Sequence, residues 1–146
     1  MAITTNAICN SFKKQILTAT HNFTLSTGNT FKLAMYTTAA TLGASTTSFT
    51  TGSQVSSSGY TSGGKALVNS GVRVTGAVAI TNFSNVSFTG VTLSARGAVI
   101  YNDTAAGDPA VCVLDFGGTK TATAGTFTVQ FPAFTTAAAI IRIGNA

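Results

Sequence analysis

The sequence predicts an all-β chain: a single-domain β-sandwich, jelly-roll-like, with about eight strands and one short N-terminal helix. Three observations predict it. Charge is scarce, at 8% of residues against about 25% in an ordinary globular domain. Thr, Ser, Asn and Gly must then cover the surface, and Thr favours a half-buried pleated one. Apolar residues recur at every second position over short runs once the first twenty-odd residues are passed. Gly or Asn punctuates most of the gaps between those runs. With 146 residues the chain is one domain by length, and at this size about 68–70% of the unfolded surface is buried, enough for a core without covalent staples.

The helix comes first. In "TNAICNSFKKQIL" (5–17) Ile8, Phe12 and Ile16 recur every four residues with Leu17 beside them, which makes one apolar stripe. Thr5 or Asn6 suits the N-cap, and Lys13 and Lys14 suit the C-terminal end of the dipole. So short a helix is stable only when its stripe is docked, either on this chain's own sheet or on a neighbouring subunit. "TFKLAMYT" (30–37) then alternates, with Phe31, Leu33 and Met35 on one face and Lys32, Ala34 and Tyr36 on the other. Residues 41–64 are rich in Gly, Ser and Thr and have no period. A loop of that length inside a compact domain is usually functional or mobile. Strands follow at about 65–74, 77–83, 86–92, 94–101, 110–116, 125–131 and 138–143.

All three carboxylates, Asp103, Asp108 and Asp115, fall in "ARGAVIYNDTAAGDPAVCVLDFGG" (95–118). Folded as a hairpin with Asn102 and Pro109 closing a loop at 103–108, a symmetric register sets Tyr101 opposite Ala110, Val99 opposite Cys112 and Arg96 opposite Asp115. The last match is an opposite-charge pair across the ladder, worth roughly 0.2–1 kcal/mol. The near-continuous apolar runs "AVIY" and "AVCVL" read as strands covered on both faces. Asp103 and Asp108 read as turn residues, since Asn-Asp-Thr and Gly-Asp-Pro open and close a loop through side-chain-to-backbone bonds. A calcium loop would need a denser alternation of oxygen donors, and an acid/base pair would need environments that drive two pKa values apart.

Other chemistry is weakly encoded, and the sequence assigns no catalytic residue, cofactor or metal. "TSGGKALV" lacks the spacing and the following helix of a phosphate loop. The single histidine, His21, has no evident acid or nucleophile partner and reads as a helix-exit residue. No G-x-S-x-G elbow occurs. Cys9 and Cys112 lack metal spacing and read as small buried hydrophobes, unlinked. The start has no basic n-region or long apolar run, and no stretch approaches the ~18 apolar residues of a membrane span, so synthesis in a reducing cytoplasm is expected. The net charge of +5 is eight bases against three acids, and the bases are scattered apart from the pair Lys13–Lys14, which argues against a nucleic-acid face. Most Phe residues fall at strand positions. Tyr36, Tyr60 and Tyr101 are the better surface aromatics, because their hydroxyls want a partner.

"SSSGYTSGGKALVN", "ARGAVIYNDTAAGDPAVCVLDFGG" and "GTFTVQFP", in that order after "ICNSFKKQIL" and "FKLAMYT", resemble a group of small virion structural proteins of tailed bacteriophages. The resemblance runs from about residue 8 to 143 and includes no catalytic motif. It implies a non-enzymatic β protein of the phage particle, made in the host bacterial cytoplasm. The leading expectation is a capsid decoration or cement protein that bridges major capsid subunits as a homo-oligomer or symmetric array. The alternatives are a tail, neck or baseplate component assembling as a ring, and a small receptor- or glycan-binding module. The interface candidates are Phe12, Ile16, Tyr36, Ser56 and Tyr60, from the helix, the first strand and the 41–64 loop.

Overall fold

The computed structural model describes residues 3–145. Its elements are β1 (Ala7–Ile8), α1 (Asn10–Leu17), β2 (Phe31–Tyr36), β3 (Lys65–Ala66), β4 (Asn69–Thr75), β5 (Val78–Phe83), β6 (Val86–Asn102), β7 (Ala110–Val129) and β8 (Ile141–Ile143). They form an all-β sandwich of two antiparallel sheets. The larger has the order β1-β7-β6-β2-β3 and the smaller the order β4-β5-β8. The strands therefore divide five and three, and both sheets contribute to one apolar core.

The helix is shorter than the 5–17 expected. Ala7 and Ile8 are drawn into the sheet opposite Val113 and Cys112, and the Asn6 carboxamide oxygen accepts the Asp115 N–H at 2.6 Å. Ladder bonds to β7 thus displace the first turn, and neither Thr5 nor Asn6 caps the helix. Cys9 is the N-cap, in an extended conformation and without a side-chain cap bond. Two turns are marginal alone. Phe12 secures them: it is 3% exposed and sits against His21 and Phe23. Ile16 is half-buried, whereas Leu17, expected in the stripe, faces solvent.

Two pairs of expected strands are single long ones. Segments 86–92 and 94–101 join as β6, and 110–116 and 125–131 join as β7. Only Leu93 separates the first two, and Gly90 and Gly117, both at positive φ, fall at irregularities of a continuous ribbon. Register shifts lie between Phe88 and Val91, Val91 and Leu93, Ala95 and Gly97, and Ile100 and Tyr101, and bulges of this kind bend and twist a strand pair. The bend is large. The Phe116 and Phe127 rings lie 5.8 Å apart, although eleven residues of straight strand would separate them by about 36 Å. Conversely, the expected strand at 65–74 breaks into β3 and β4, and 138–143 contracts to Ile141–Ile143.

The hairpin loop falls at 103–108, but its register slips by one. Tyr101 is opposite Ala110, whereas Ile100, not Val99, is opposite Cys112, and Gly97, not Arg96, is opposite Asp115. The bulge beside Tyr101 accounts for the slip. A second bulge, between Ala95 and Gly97, is where Arg96 reaches Asp115 to form an ion pair with it.

Candidate functional site

The segment 41–64 is not a free loop. It lies against the larger sheet and is held there by three tyrosines. The Tyr36 hydroxyl donates to the Thr50 carbonyl at 2.6 Å. The Tyr60 hydroxyl accepts the Met35 N–H at 2.9 Å and donates to Gln54 Oε1 at 3.0 Å. The Tyr101 hydroxyl donates to the Gly63 carbonyl at 2.6 Å, while its ring stacks on Phe49. Burial pushes the Tyr36 and Tyr60 hydroxyls up to about 12 and raises Tyr101 as well. These three rings, expected at the surface, are therefore buried, and Tyr36 and Tyr60 offer no platform to a sugar or a receptor. Leu42, Val55 and Ile3 complete this cover. Of the expected interface residues, Phe12, Tyr36 and Tyr60 are spent inside the chain, Ile16 is half-buried and Ser56 alone is exposed.

On the opposite face of that sheet lies a polar cluster that sequence reasoning missed. Asn102 is fully buried. Its Nδ2 donates to Asn29 Oδ1 at 2.9 Å and to His21 Nδ1 at 3.1 Å. Its Oδ1 accepts the N–H groups of Thr104 and Ala105. Because Asn102 donates to Nδ1, the His21 proton sits on Nε2 and goes to Gln15 Oε1 at 2.9 Å. The imidazole is neutral, and burial among Phe12, Phe23 and Phe31 lowers its pKa to about 4. Each side-chain partner of the imidazole is an amide, and the cluster orders the hairpin loop and the helix exit. The only legible signal was the Asn-Asp-Thr turn signature, which points at Asn102 as readily as at Asp103.

The acids are accounted for one by one. Asp103 pairs with Lys32 at 3.1 Å. Asp108 takes a left-handed turn conformation at φ 48° and its carbonyl accepts the Phe49 N–H. Asp115 accepts from Arg96 and from the Gly117 N–H, which hold its carboxyl below the usual range. Among the described residues no three His, Cys, Asp or Glu side chains gather as a metal site would require. Cys9 and Cys112 are buried free thiols, both pushed up by burial, Cys9 to about 11.

A groove of about 1060 Å³ lies on the inside of the bent β7, between β1 and the segment 130–140. Its apolar wall is Ile8, Leu114, Phe116, Phe127, Phe131 and Ile140, and Asn6, Asp115, Lys120 and Gln130 stand among the polar residues that line it. It runs beside the outer edge of β7. On that edge, among the described residues, β1 pairs with Cys112 and Val113 of a strand twenty residues long, and Cys9 and Asn6 bond Val111 and Asp115 on either side. An open strand edge beside an apolar trough suits an extended peptide, whose main chain joins the ladder while alternate side chains enter the trough. Comparison with family models, with curated proteins and with solved structures finds no match to this chain.

Proposed function

We propose that this chain is a non-enzymatic structural protein of a bacteriophage particle, one that decorates the head and stabilises it by bridging capsid subunits. The observation that carries the reading is the groove and open edge of β7. The protein's own Ala7–Ile8 already adds to that edge as a two-residue strand. An extended arm of a neighbouring virion subunit would continue the same addition beyond Gly117, past the Asp115 and Gly117 N–H groups already bonded within the chain, with its apolar side chains against Phe116, Phe127 and Phe131. Many weak copies of such a contact over a symmetric shell give high avidity. Charged groups are few, and Asp103 and Asp115 are already paired within the chain, which suits a surface that meets protein.

The test uses particles lacking the protein, to which purified chain is added back. Wild-type chain should occupy hundreds of sites per particle, measured by quantitative mass spectrometry, and should raise the temperature at which heads release their genome. Phe127→Asp or Leu114→Asp, confirmed folded by circular dichroism, should lose occupancy. Occupancy on the order of a dozen, as a ring requires, with heads equally robust either way, would replace the head reading with a tail or neck one. Full occupancy by both groove variants would remove β7 from the interface.

A further inference from the structure

The smaller sheet carries a second uncovered surface. Phe83 of β5 meets Phe23 and Phe31 in the core, so Thr81 and Ala79, two and four residues earlier, point to the same side. Pairing puts Val72 and Ile141 beside Thr81, and Val74 and Ile143 beside Ala79. This is therefore the core-facing side of the sheet, running on past the end of the core. Val72, Val74 and Ile143 are 56%, 71% and 54% exposed. Across from them stands the end of α1, with Ile16 in the wall of a cleft of about 370 Å³ between helix and sheet. Leu17 follows at 87% exposed.

The cleft wall holds no Lys, Arg, Asp or Glu, and its one titratable group, His21, is neutral. The sheet's two cations are on the other side, in the row of Ile80. There Arg73 stacks on Phe134 at 4.1 Å and Arg142 donates to the carbonyls of Thr136 and Ala137.

We infer that this face is a homodimer interface, in which two copies pack their smaller sheets together about a two-fold axis. Three observations select a second copy as the occupant. The face is uncharged on a chain of net charge +5, so copies meet here without opposing their cations. The half-core is the same on every copy, and an isologous contact covers both halves at once. Four side chains more than half exposed, Leu17, Val72, Val74 and Ile143, with their rims, present roughly 500–600 Å² per copy, at the top of what a monomer usually exposes. Two copies then bury about 1,100 Å², close to the lower limit of stable interfaces. Among the described residues no strand pairs with the outer edge of β4 or of β8, and the contact can extend along both. Such a dimer is a property of the isolated chain, independent of the groove at β7 and of any place in a virion.

Sedimentation equilibrium of the purified full chain at micromolar concentration tests it. The expected mass is twice 14.7 kDa. Val74→Asp and, independently, Ile143→Lys should each raise the dimer Kd at least about tenfold, as loss of a central apolar anchor does, with an unchanged circular dichroism spectrum. Ser56→Asp, on the far side of the larger sheet's cover, should leave the Kd alone. A monomeric wild type would overturn the inference. So would a dimer indifferent to both folded variants, or one that Ser56→Asp weakens equally.

Discussion

The two sheets treat the same residue types in opposite ways. In the larger one, Val99, Val111 and Val113 are completely buried, as are Leu33, Ala34, Met35 and Tyr36 on the neighbouring β2. Residues on both faces of those strands are out of water. In the smaller one, Val72 and Val74 are more than half exposed. The difference lies not in the strands but in what lies over them. The larger sheet has the core on one face and the pinned 41–64 segment on the other. The smaller sheet has the core under only part of one face. Burial of an alternating valine is thus decided by segments remote in sequence, and a stretch without any period is what clads the most regular strands of the molecule.

The heaviest blow to that cladding should come at Gly64. Its φ is +78°, and a Cβ there would stand 1.8 Å from the Leu33 carbonyl oxygen. A backbone atom cannot step aside as a side-chain tip does, so Gly64→Ala must lift the segment off β2. We expect a loss of about 4 kcal/mol, in the range of backbone strain combined with lost packing, measured by urea unfolding. A loss under about 1 kcal/mol would mean that the segment is not held where the tyrosines fasten it.

The seam between the sheets should be acid-labile. His21 sits there, with a folded pKa of about 4 against 6.5 unfolded. Between those values the unfolded chain binds the proton and the folded chain does not. Stability is therefore full above pH 6.5, falls as pH drops towards 4, and flattens below. The total loss is on the order of 3 kcal/mol, since each pH step of one between the two values costs about 1.4 kcal/mol. Asp115, held low by Arg96, adds a loss of the same sign at lower pH. Proton NMR of the His21 imidazole checks the cause directly: a titration midpoint near 6.5 in the folded protein would refute it.

One substitution made in both sheets measures the contrast itself. Val99→Ala should cost about 2–3 kcal/mol, since it removes two buried methyls and leaves a void. Val74→Ala, in protein too dilute to dimerise, should cost under about 0.5 kcal/mol, as surface changes do. Equal costs would mean that the smaller sheet is covered after all.

How much of this was legible varied with the range of the forces concerned. The all-β class, the 103–108 loop and the partnership of Arg96 with Asp115 follow from local composition and from charges close in sequence. The absence of a phosphate loop at Gly63-Gly64 was legible from spacing, and the pair closes a turn, with both residues at positive φ. The helix start was not legible, because Ile8 fits a helical stripe and a sheet edge equally, and β7, a hundred residues away, decides between them. Nor were the bulges, where a one-residue slip moved Val99 off Cys112 without altering the alternation. The groove was invisible for the same reason: it exists only because β7 bends far enough to bring Phe116 to Phe127. The fate of the tyrosines turned on the 41–64 segment, whose lack of a period hides a packed strap as readily as a mobile arm.

Those tyrosines supply the finest test, because two of them differ only in what their hydroxyls leave behind. Tyr60→Phe removes the acceptor of the Met35 N–H, on a residue with no exposure to water. That donor has nowhere else to go, so the cost should be about 1–3 kcal/mol, the penalty of a stranded buried group. Tyr36→Phe removes a donor from the Thr50 carbonyl, but Thr50 is exposed and its carbonyl can turn to water. The net loss there should be nearer 0.5–1 kcal/mol, that of an ordinary hydrogen bond exchanged for a solvent one. Both variants keep their rings in the cover, so neither should change the urea m-value, which tracks the surface exposed on unfolding. If Tyr36→Phe proves the costlier, the strap is fastened chiefly at its middle, through Thr50. If the m-value falls in either variant, the strap has come away from the sheet before the rest of the molecule unfolds.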